Sequence, residues 1–385
     1  MYLYYFLAAL SCWFGIQSLL GGLRFAAYVR RETSRPLPDF QPFASVIVPG
    51  RGLEPGLAEN LGTLLTQDYP AYEVLFVFDR EDDPAIEVVE QLTTTPKIVI
   101  AGPATDSGQK VHNLRVAVTR IDPRSEVLVF VDTDARPERQ WLKNLVAPLA
   151  DEKLGASSGY RWFVPVNGGI ASRLRSVWNA SIASALGSDT TKNFCWGGST
   201  AIRRTTFDRL KVGERWRGTV SDDFTLTRIL REANLPIHFT PNCLVPSFGD
   251  CDFRELLEFT TRQIKITRVY ASHLWLPLLL GSSLFTIVFF GGLILIGVYP
   301  RSSALYIFLS IIFALGAAKS IVRWRAVNMP ATRDLIAHIF LWPFAQLIYL
   351  YNAIAAGFSR RIQWRGITYN LQSPTEAVII SREPR

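Results

Sequence analysis

With 385 residues, the chain has room for one domain of ordinary size plus something further. Its formal charge of +8 is carried by arginines flanking apolar segments, which fits anionic lipid headgroups and argues against a nucleic-acid module. The four cysteines, Cys12, Cys195, Cys243 and Cys251, lack CxxC spacing, which argues against a disulfide framework or a zinc site and suits a reducing cytoplasm.

Residues 3–23 are uncharged and rich in Leu, Phe, Tyr and Gly, and Arg24, Arg30 and Arg31 follow them as on a cytoplasmic flank. A cleaved signal peptide would carry its charges before the apolar region, so residues 1–28 read as a retained transmembrane anchor. Residues 35–250 have ordinary soluble composition and read as a cytoplasmic domain. In it, strand-like runs at 44–49, 73–78, 97–101 and 127–131 alternate with helical patterns at 55–65, 84–92 and 110–118. That order predicts an α/β fold with a mostly parallel, Rossmann-like sheet and covering helices.

The first strand ends in Pro49-Gly50-Arg51-Gly52, a turn that lets backbone approach a ligand. The fourth, an apolar run typical of a strand covered on both faces, ends in Asp132-Thr133-Asp134. Ligands of open α/β sheets bind beyond the carboxyl ends of strands. Two oxygen ligands there suit Mg²⁺ or Mn²⁺, which in turn holds a diphosphate; the plain alternative is a strand terminus capping the next helix. A second acidic group, Ser221-Asp222-Asp223, opens a helix at 224–231. Ser221 or Asp222 satisfies free N–H groups there. Asp223 is not needed for that, and a carboxylate facing a metal-bound leaving group is what glycosyl transfer requires of a base.

Residues 253–273 read as an amphipathic helix at the membrane interface, with Phe253, Leu256, Leu257, Thr260 and Ile264 on one stripe and Arg254, Arg262, Lys265 and Arg268 off it. Three apolar segments fill 274–358, at 275–298, 304–322 and 335–358, each near the roughly 20 residues that cross a hydrocarbon core. The positive-inside rule places Lys319, Arg323, Arg325 and Arg333 in the cytoplasm. A plain crossing by 335–358 would put Arg360, Arg361 and Arg365 outside; Pro343 and the rule together predict a segment that turns back or lies against the other spans, leaving 359–385 as a cytoplasmic tail.

These motifs together resemble the ceramide glucosyltransferase family of membrane-bound inverting GT-A enzymes, with its bacterial hopanoid and glycolipid relatives. That family carries three aspartates, an (R/Q)xxRW motif and a late W-R-x-G-R-Y-like motif. The aspartates match Asp83 in Arg80-Glu81-Asp82-Asp83, Asp132 and Asp223. Gln67-Asp68-Tyr69-Pro70, Lys110-Val111-His112-Asn113-Leu114, Cys195-Trp196-Gly197-Gly198-Ser199 and Trp364-Arg365-Gly366-Ile367-Thr368-Tyr369 also resemble family signatures. Where the family has RxxRW, this chain has Arg262-Gln263-Ile264-Lys265-Ile266. Lys265 keeps a charge without arginine's fork, and Ile266 offers no stacking face, which argues against a processive polysaccharide synthase.

The resemblance implies transfer of a hexose from a nucleotide sugar, UDP-linked, to the hydroxyl of a lipid such as ceramide, hopanoid or diacylglycerol, using Mg²⁺ or Mn²⁺. Asp223 would be the base, Asp132 and Asp134 the metal ligands, and Asp83 a contact to base or ribose. Pro49, Gly50, Arg51, Gly52, Asp79, Lys110, Asn113, Asp132, Gly197 and Gly198 would line the nucleotide-sugar site, with Arg262, Lys265, Trp364 and Arg365 closing over diphosphate or acceptor. Transfer to polyprenyl phosphate, which needs no base, is the nearest rival, and a catalytically idle nucleotide-binding scaffold the more distant one.

Overall fold

The computed structural model describes residues 1–327 and 334–383. Arg333, part of the positive-inside argument, lies outside the described residues. In chain order the elements are α1 (Tyr2–Thr33), β1 (Ala44–Pro49), α2 (Leu57–Leu64), β2 (Tyr72–Phe78), α3 (Ala85–Leu92), β3 (Lys97–Ile100), α4 (Gln109–Val118) and β4 (Val127–Phe130). Then come α5 (Trp141–Val146), β5 (Ala156–Val164), α6 (Ile170–Ala183), β6 (Thr200–Arg203), α7 (Arg204–Arg209), α8 (Val212–Arg215), α9 (Asp222–Glu232) and β7 (Ile237–Phe248). The chain continues with α10 (Phe253–Tyr270), α11 (Ser272–Val298), α12 (Ser303–Ala326), α13 (Leu335–Phe340), α14 (Trp342–Phe358), β8 (Arg361–Trp364), β9 (Ile367–Ser373) and β10 (Glu376–Arg382).

Seven strands form one sheet in the order β3-β2-β1-β4-β6-β5-β7. β1 runs parallel to β2 and β4, and β2 to β3, as the alternating pattern requires. β6 is antiparallel to both β4 and β5. Alternate residues of the parallel strands bury on opposite faces. Ile47, Leu75, Val77, Leu128 and Phe130 pack with Val111 and Leu114 of α4 and with Leu226 and Ile229 of α9. Val46, Val48, Phe76 and Val129, pointing the other way, are equally buried. Burial on both faces is why these strands read as apolar runs without alternation.

The chain divides into two compact units. The unit that carries the seven-stranded sheet comprises Glu32–Trp162, Ser188–Phe248 and Arg360–Arg385; the other comprises Met1–Arg31, Phe163–Gly187 and Gly249–Ser359. This corrects the expected continuous domain at 35–250. Phe163–Gly187 leaves it because α6 presents Val177 and Trp178 to Ile264, Ala345 and Tyr349 of α10 and α14. The tail joins it because residues 360–385 form a second sheet, β10-β9-β8, whose Tyr369 hydroxyl accepts the Gln109 N–H at 3.1 Å.

Among the described residues, α1, α11 and α12 are long and apolar enough to cross a membrane. The segment at 335–358 is broken: α13 ends at Phe340, Leu341 intervenes, and Pro343 stands in the first turn of α14, where its missing N–H costs nothing. The stripe on α10 is committed to protein. Leu256, Thr260 and Ile264 are buried, and the Thr260 and Thr261 hydroxyls donate to Asn352 Oδ1 of α14 at 3.3 and 2.9 Å, while Phe253 stays exposed.

Candidate active site

Two loops from the carboxyl ends of β1 and β4 meet in the sheet-bearing unit. After β1, Pro49-Gly50-Arg51-Gly52 turns back with the Gly50 N–H bonded to Val77 O at 2.9 Å. The Gly52 N–H lies 3.0 Å from both Asp83 oxygens, and the Ala85 N–H donates to Asp83 Oδ1 at 3.1 Å. Asp83, expected to meet the base or ribose, holds the glycine turn to the start of α3 through these bonds. Its neighbour Asp79 is also buried, 3.6 Å from Arg51 Nη1, and its Oδ1 has no hydrogen-bond partner. Asn113 is likewise internal: its side chain accepts from Gln109 Nε2 at 2.8 Å and donates to Val77 O at 3.4 Å, tying α4 to β2.

After β4, Asp132 and Asp134 meet two cations. Lys110 Nζ lies 2.7 Å from Asp132 Oδ1 and 3.3 Å from Asp222 Oδ1, and donates to Gly197 O at 3.3 Å. Arg161 bridges the pair, with Nη2 3.1 Å from Asp132 Oδ2 and Nη1 2.9 Å from Asp134 Oδ2, its guanidinium 4.8 Å over the Trp196 ring. A Cβ on Gly197 would stand 2.2 Å from Asp222 Oδ2 and 2.7 Å from Lys110 Nζ, so a side chain there would displace the Lys110–Asp222 pair. Gly198 sits beside it under the Trp196 ring, 2.2 Å from where its Cβ would fall.

Beyond this cluster, the Thr133 hydroxyl donates to Glu54 Oε1 at 2.5 Å, and Arg365 pairs with Glu54. Arg365 reaches it from the β8–β9 hairpin, where Arg365 and Gly366 have φ of 52° and 71°. Successive left-handed residues make the tight turn whose twist matches antiparallel strands. The late Trp364-Arg365-Gly366 motif is therefore a hairpin tip that delivers a cation to the β4 loop.

At the start of α9, Ser221 is the N-cap, its Oγ accepting the Phe224 N–H at 3.3 Å. Asp223 shares in the capping, since its Oδ1 accepts the same N–H at 2.7 Å and also bonds the Ser221 hydroxyl. Asp222, one alternative for the cap, instead faces Lys110 from a buried position. Lys110 is thus shared by two carboxylates. Burial alone would lower its pKa, but Asp132, Asp222 and Asp223 raise it. Asp132 is held low by Lys110 and Arg161 against the effect of burial. Asp222, the farther partner, is pushed up to about 6, by burial first and then by Asp223 and Asp132, against Lys110.

The sign of that shift makes a prediction. A carboxyl whose folded pKa exceeds its unfolded value stabilises the fold in its protonated form. The contribution is complete below the unfolded value of 3.8 and lost as pH rises through about 6. Asp222→Asn, a permanently neutral mimic, should gain melting temperature relative to wild type across that window. A flat difference between the two Tm–pH curves would show that Asp222 carries no such strain.

Glu54, Asp132, Asp134, Asp222 and Asp223 stand against Lys110, Arg161 and Arg365, leaving the cluster net negative in a setting that suits a divalent cation. Among the described residues no group of three His, Cys, Asp or Glu side chains is placed to hold a metal. The carboxylate pair fits Mg²⁺ or Mn²⁺ all the same. Such ions are held by one or two carboxylates with substrate phosphates completing the shell, and Asp134 Oδ1 is a buried acceptor without a partner.

Sequence reading missed Glu54 and Arg161. Arg161 had a signal, a lone charge inside the apolar strand Ala156–Val164; Glu54 had only its nearness to Gly52. Arg262 and Lys265 lie on α10, in the other unit, where Arg262 pairs with Glu258 at 3.6 Å.

Parallel strands with a glycine turn after β1, acidic loops after β4 and before α9, and cations beside them define a GT-A glycosyltransferase. The sequence profile of glycosyl transferase family 21 matches residues 3–377, and the chain belongs to that family. The family is one of glycosyltransferases, and among the described residues three helices are long and apolar enough to cross a membrane. Ceramide glucosyltransferase 1 of Caenorhabditis elegans is 37% identical over 81 residues, 20% of this chain and 17% of that protein. Glycosyltransferase AglE of Haloferax volcanii is 31% identical over 136 residues, 34% and 43% respectively. The chain therefore spans less than half the length of either relative. A solved mannosyltransferase from Pyrobaculum calidifontis, in complex with GDP-Man and Mn²⁺, aligns over 91% of this chain and 98% of its own at 19% identity, with a TM-score of 0.47.

Proposed function

We propose that the chain is an inverting hexosyltransferase that moves glucose or a related sugar from a UDP-linked donor to the hydroxyl of a membrane lipid such as ceramide, hopanoid or diacylglycerol. The observation that carries this is the Asp132–Lys110–Asp222 chain beside Asp223, which sets a carboxylate base next to a charged cradle for a diphosphate. Asp223 takes the proton of the attacking hydroxyl. Its Oδ1 is fixed by Ser221 and the Phe224 N–H, so the carboxylate is held rather than free to swing. Asp132 and Asp134 would hold the divalent ion, which offsets charge on the departing diphosphate. Lys110, Arg161 and Arg365 add fixed positive charge on the protein side, with Trp364 as a further contact to diphosphate or acceptor. Asp79, whose Oδ1 is unpartnered, is the carboxylate of the β2 end that meets the nucleoside, and Asp83 positions the turn. A two-chain lipid does not leave the bilayer, so the catalyst is anchored beside it.

The test is turnover of purified protein with UDP-hexoses and defined lipid acceptors, with mass spectrometry of lipid extracts from cells with and without the chain. A sugar appearing only on polyprenyl phosphate, or none appearing, would overturn the reading.

We further propose that the sheet-bearing unit, its C-terminal tail included, faces the cytoplasm, with α10 at the interface and α13–α14 lying without a full crossing. A cysteine at Ser381 in a cysteine-free background should escape a membrane-impermeant thiol reagent on intact cells and react after permeabilisation. Labelling of intact cells would put the tail outside.

A further inference from the structure

Among the helices of the other unit lies a cavity of about 740 Å³ whose two ends differ in chemistry. Its apolar end is lined by residues such as Leu284, Phe285 and Ile312. The other end holds Lys319 and Arg323. Ile312 and Arg323 are eleven residues apart on α12, roughly 16 Å along the axis at 1.5 Å per residue, so the cavity has the reach and polarity gradient of a lipid head and the start of its chain. The Lys319 stem lies on Gly22 of α1, 3.1 Å from where a Cβ would fall, and its Nζ donates to Ser18 at 2.8 Å. Arg323 is 3% exposed with Nε unpartnered, and Trp342, which also lines the cavity, has an unpartnered Nε1. No acidic residue lines the cavity among the described residues.

Charged side chains at membrane depth are costly unless they pair or face a cavity that receives a counter-charge. Here Lys319, Arg323 and Trp342 offer only donors, and two of the three are full positive charges. A neutral polyol head would leave those charges uncompensated, and a zwitterionic head would bring a further cation among them. We propose that this cavity is a binding site for an anionic diacyl phospholipid, its phosphate held by Lys319 and Arg323 and its acyl chain lying toward Ile312. This goes beyond the transfer reaction and does not depend on which sugar or acceptor is used.

Native mass spectrometry of the full chain in detergent, without sugar donor, tests it using phosphatidylglycerol, phosphatidylcholine, diacylglycerol and polyprenyl phosphate as probes. Phosphatidylglycerol should be retained best. Lys319→Gln with Arg323→Gln should reduce phosphatidylglycerol retention to the level of phosphatidylcholine, and the exchanged pair Lys319→Arg with Arg323→Lys should keep it. Gly281→Leu leaves both cations intact. Gly281 lines the cavity and nothing lies within 4 Å of a Cβ there, so the leucine is accommodated without a clash and adds bulk at the cavity wall, and it should abolish retention. Equal retention of phosphatidylglycerol, phosphatidylcholine and diacylglycerol would overturn the proposal, as would preference for polyprenyl phosphate. So would undiminished phosphatidylglycerol binding by Gly281→Leu, which decides the matter even if the Gln pair fails to fold. None of these outcomes bears on donor turnover.

Discussion

Asp223→Asn is expected to lower turnover by about 10²–10⁴, roughly 3–5 kcal/mol in the barrier at 1.36 kcal/mol per tenfold. Stability should barely change. The two contacts of Asp223 Oδ1, from the Phe224 N–H and the Ser221 hydroxyl, are ones an asparagine carbonyl also accepts. Even complete loss of the cap would cost only about 1 kcal/mol of stability. The variant should therefore fold and bind nucleotide while failing to take the proton. Asp222→Asn should lose far less activity, because Lys110 keeps its nearer partner Asp132 at 2.7 Å. Rate measurements on both variants, with nucleotide binding read separately, decide the roles. Equal losses would dissolve the distinction, and a larger loss in Asp222→Asn would pass the base to the buried carboxyl that titrates near 6. Activity of Asp223→Asn retained on a phosphate acceptor but not on an alcohol would identify the proton transfer as the step removed.

Removing divalent cation should abolish transfer, and Mn²⁺ or Mg²⁺ should restore it. The cluster holds more carboxylates than cations, and the departing diphosphate adds further negative charge that Lys110, Arg161 and Arg365 alone do not offset. Asp134→Asn should raise the cation concentration needed for half-maximal rate, since it neutralises the carboxylate carrying the unpartnered oxygen. Arg161 pairs with Asp132 Oδ2 and Asp134 Oδ2, so Arg161→Gln should lower that concentration by freeing those two further oxygens for the cation. Full activity in excess chelator would remove the metal from the mechanism and leave the cations to stabilise the leaving group by themselves.

Much of the catalytic fold was legible because its strands are covered on both faces. The apolar run ending at Phe130 and the strand Ala44–Pro49 stand out against their flanks, and the intervening helices show their 3.6-residue period. The long apolar helices α1, α11 and α12 were legible for a similar reason, since length and lack of charge mark them in the sequence. The break at Leu341 was foreshadowed by Pro343. The departure of Phe163–Gly187 to the other unit was not. The apolar face of α6 looks the same whichever surface receives it.

The site divides along the same line. Sequence alone pointed to most of the candidate residues, though not to Glu54 or Arg161: the carboxylates after β4 and before α9, the glycine turn after β1 and the late Trp-Arg-Gly motif are local patterns, tied to turn and cap requirements. Only the tertiary structure decided their partners. Asp83 turned inward to two main-chain N–H groups, Asp222 rather than Asp223 came to face Lys110, and Arg161 entered from β5 to bridge Asp132 and Asp134. Arg365 reached Glu54 across more than three hundred residues of chain. Pairing of charges depends on distances of a few ångströms between segments remote in sequence, and no spacing along the chain encodes those distances.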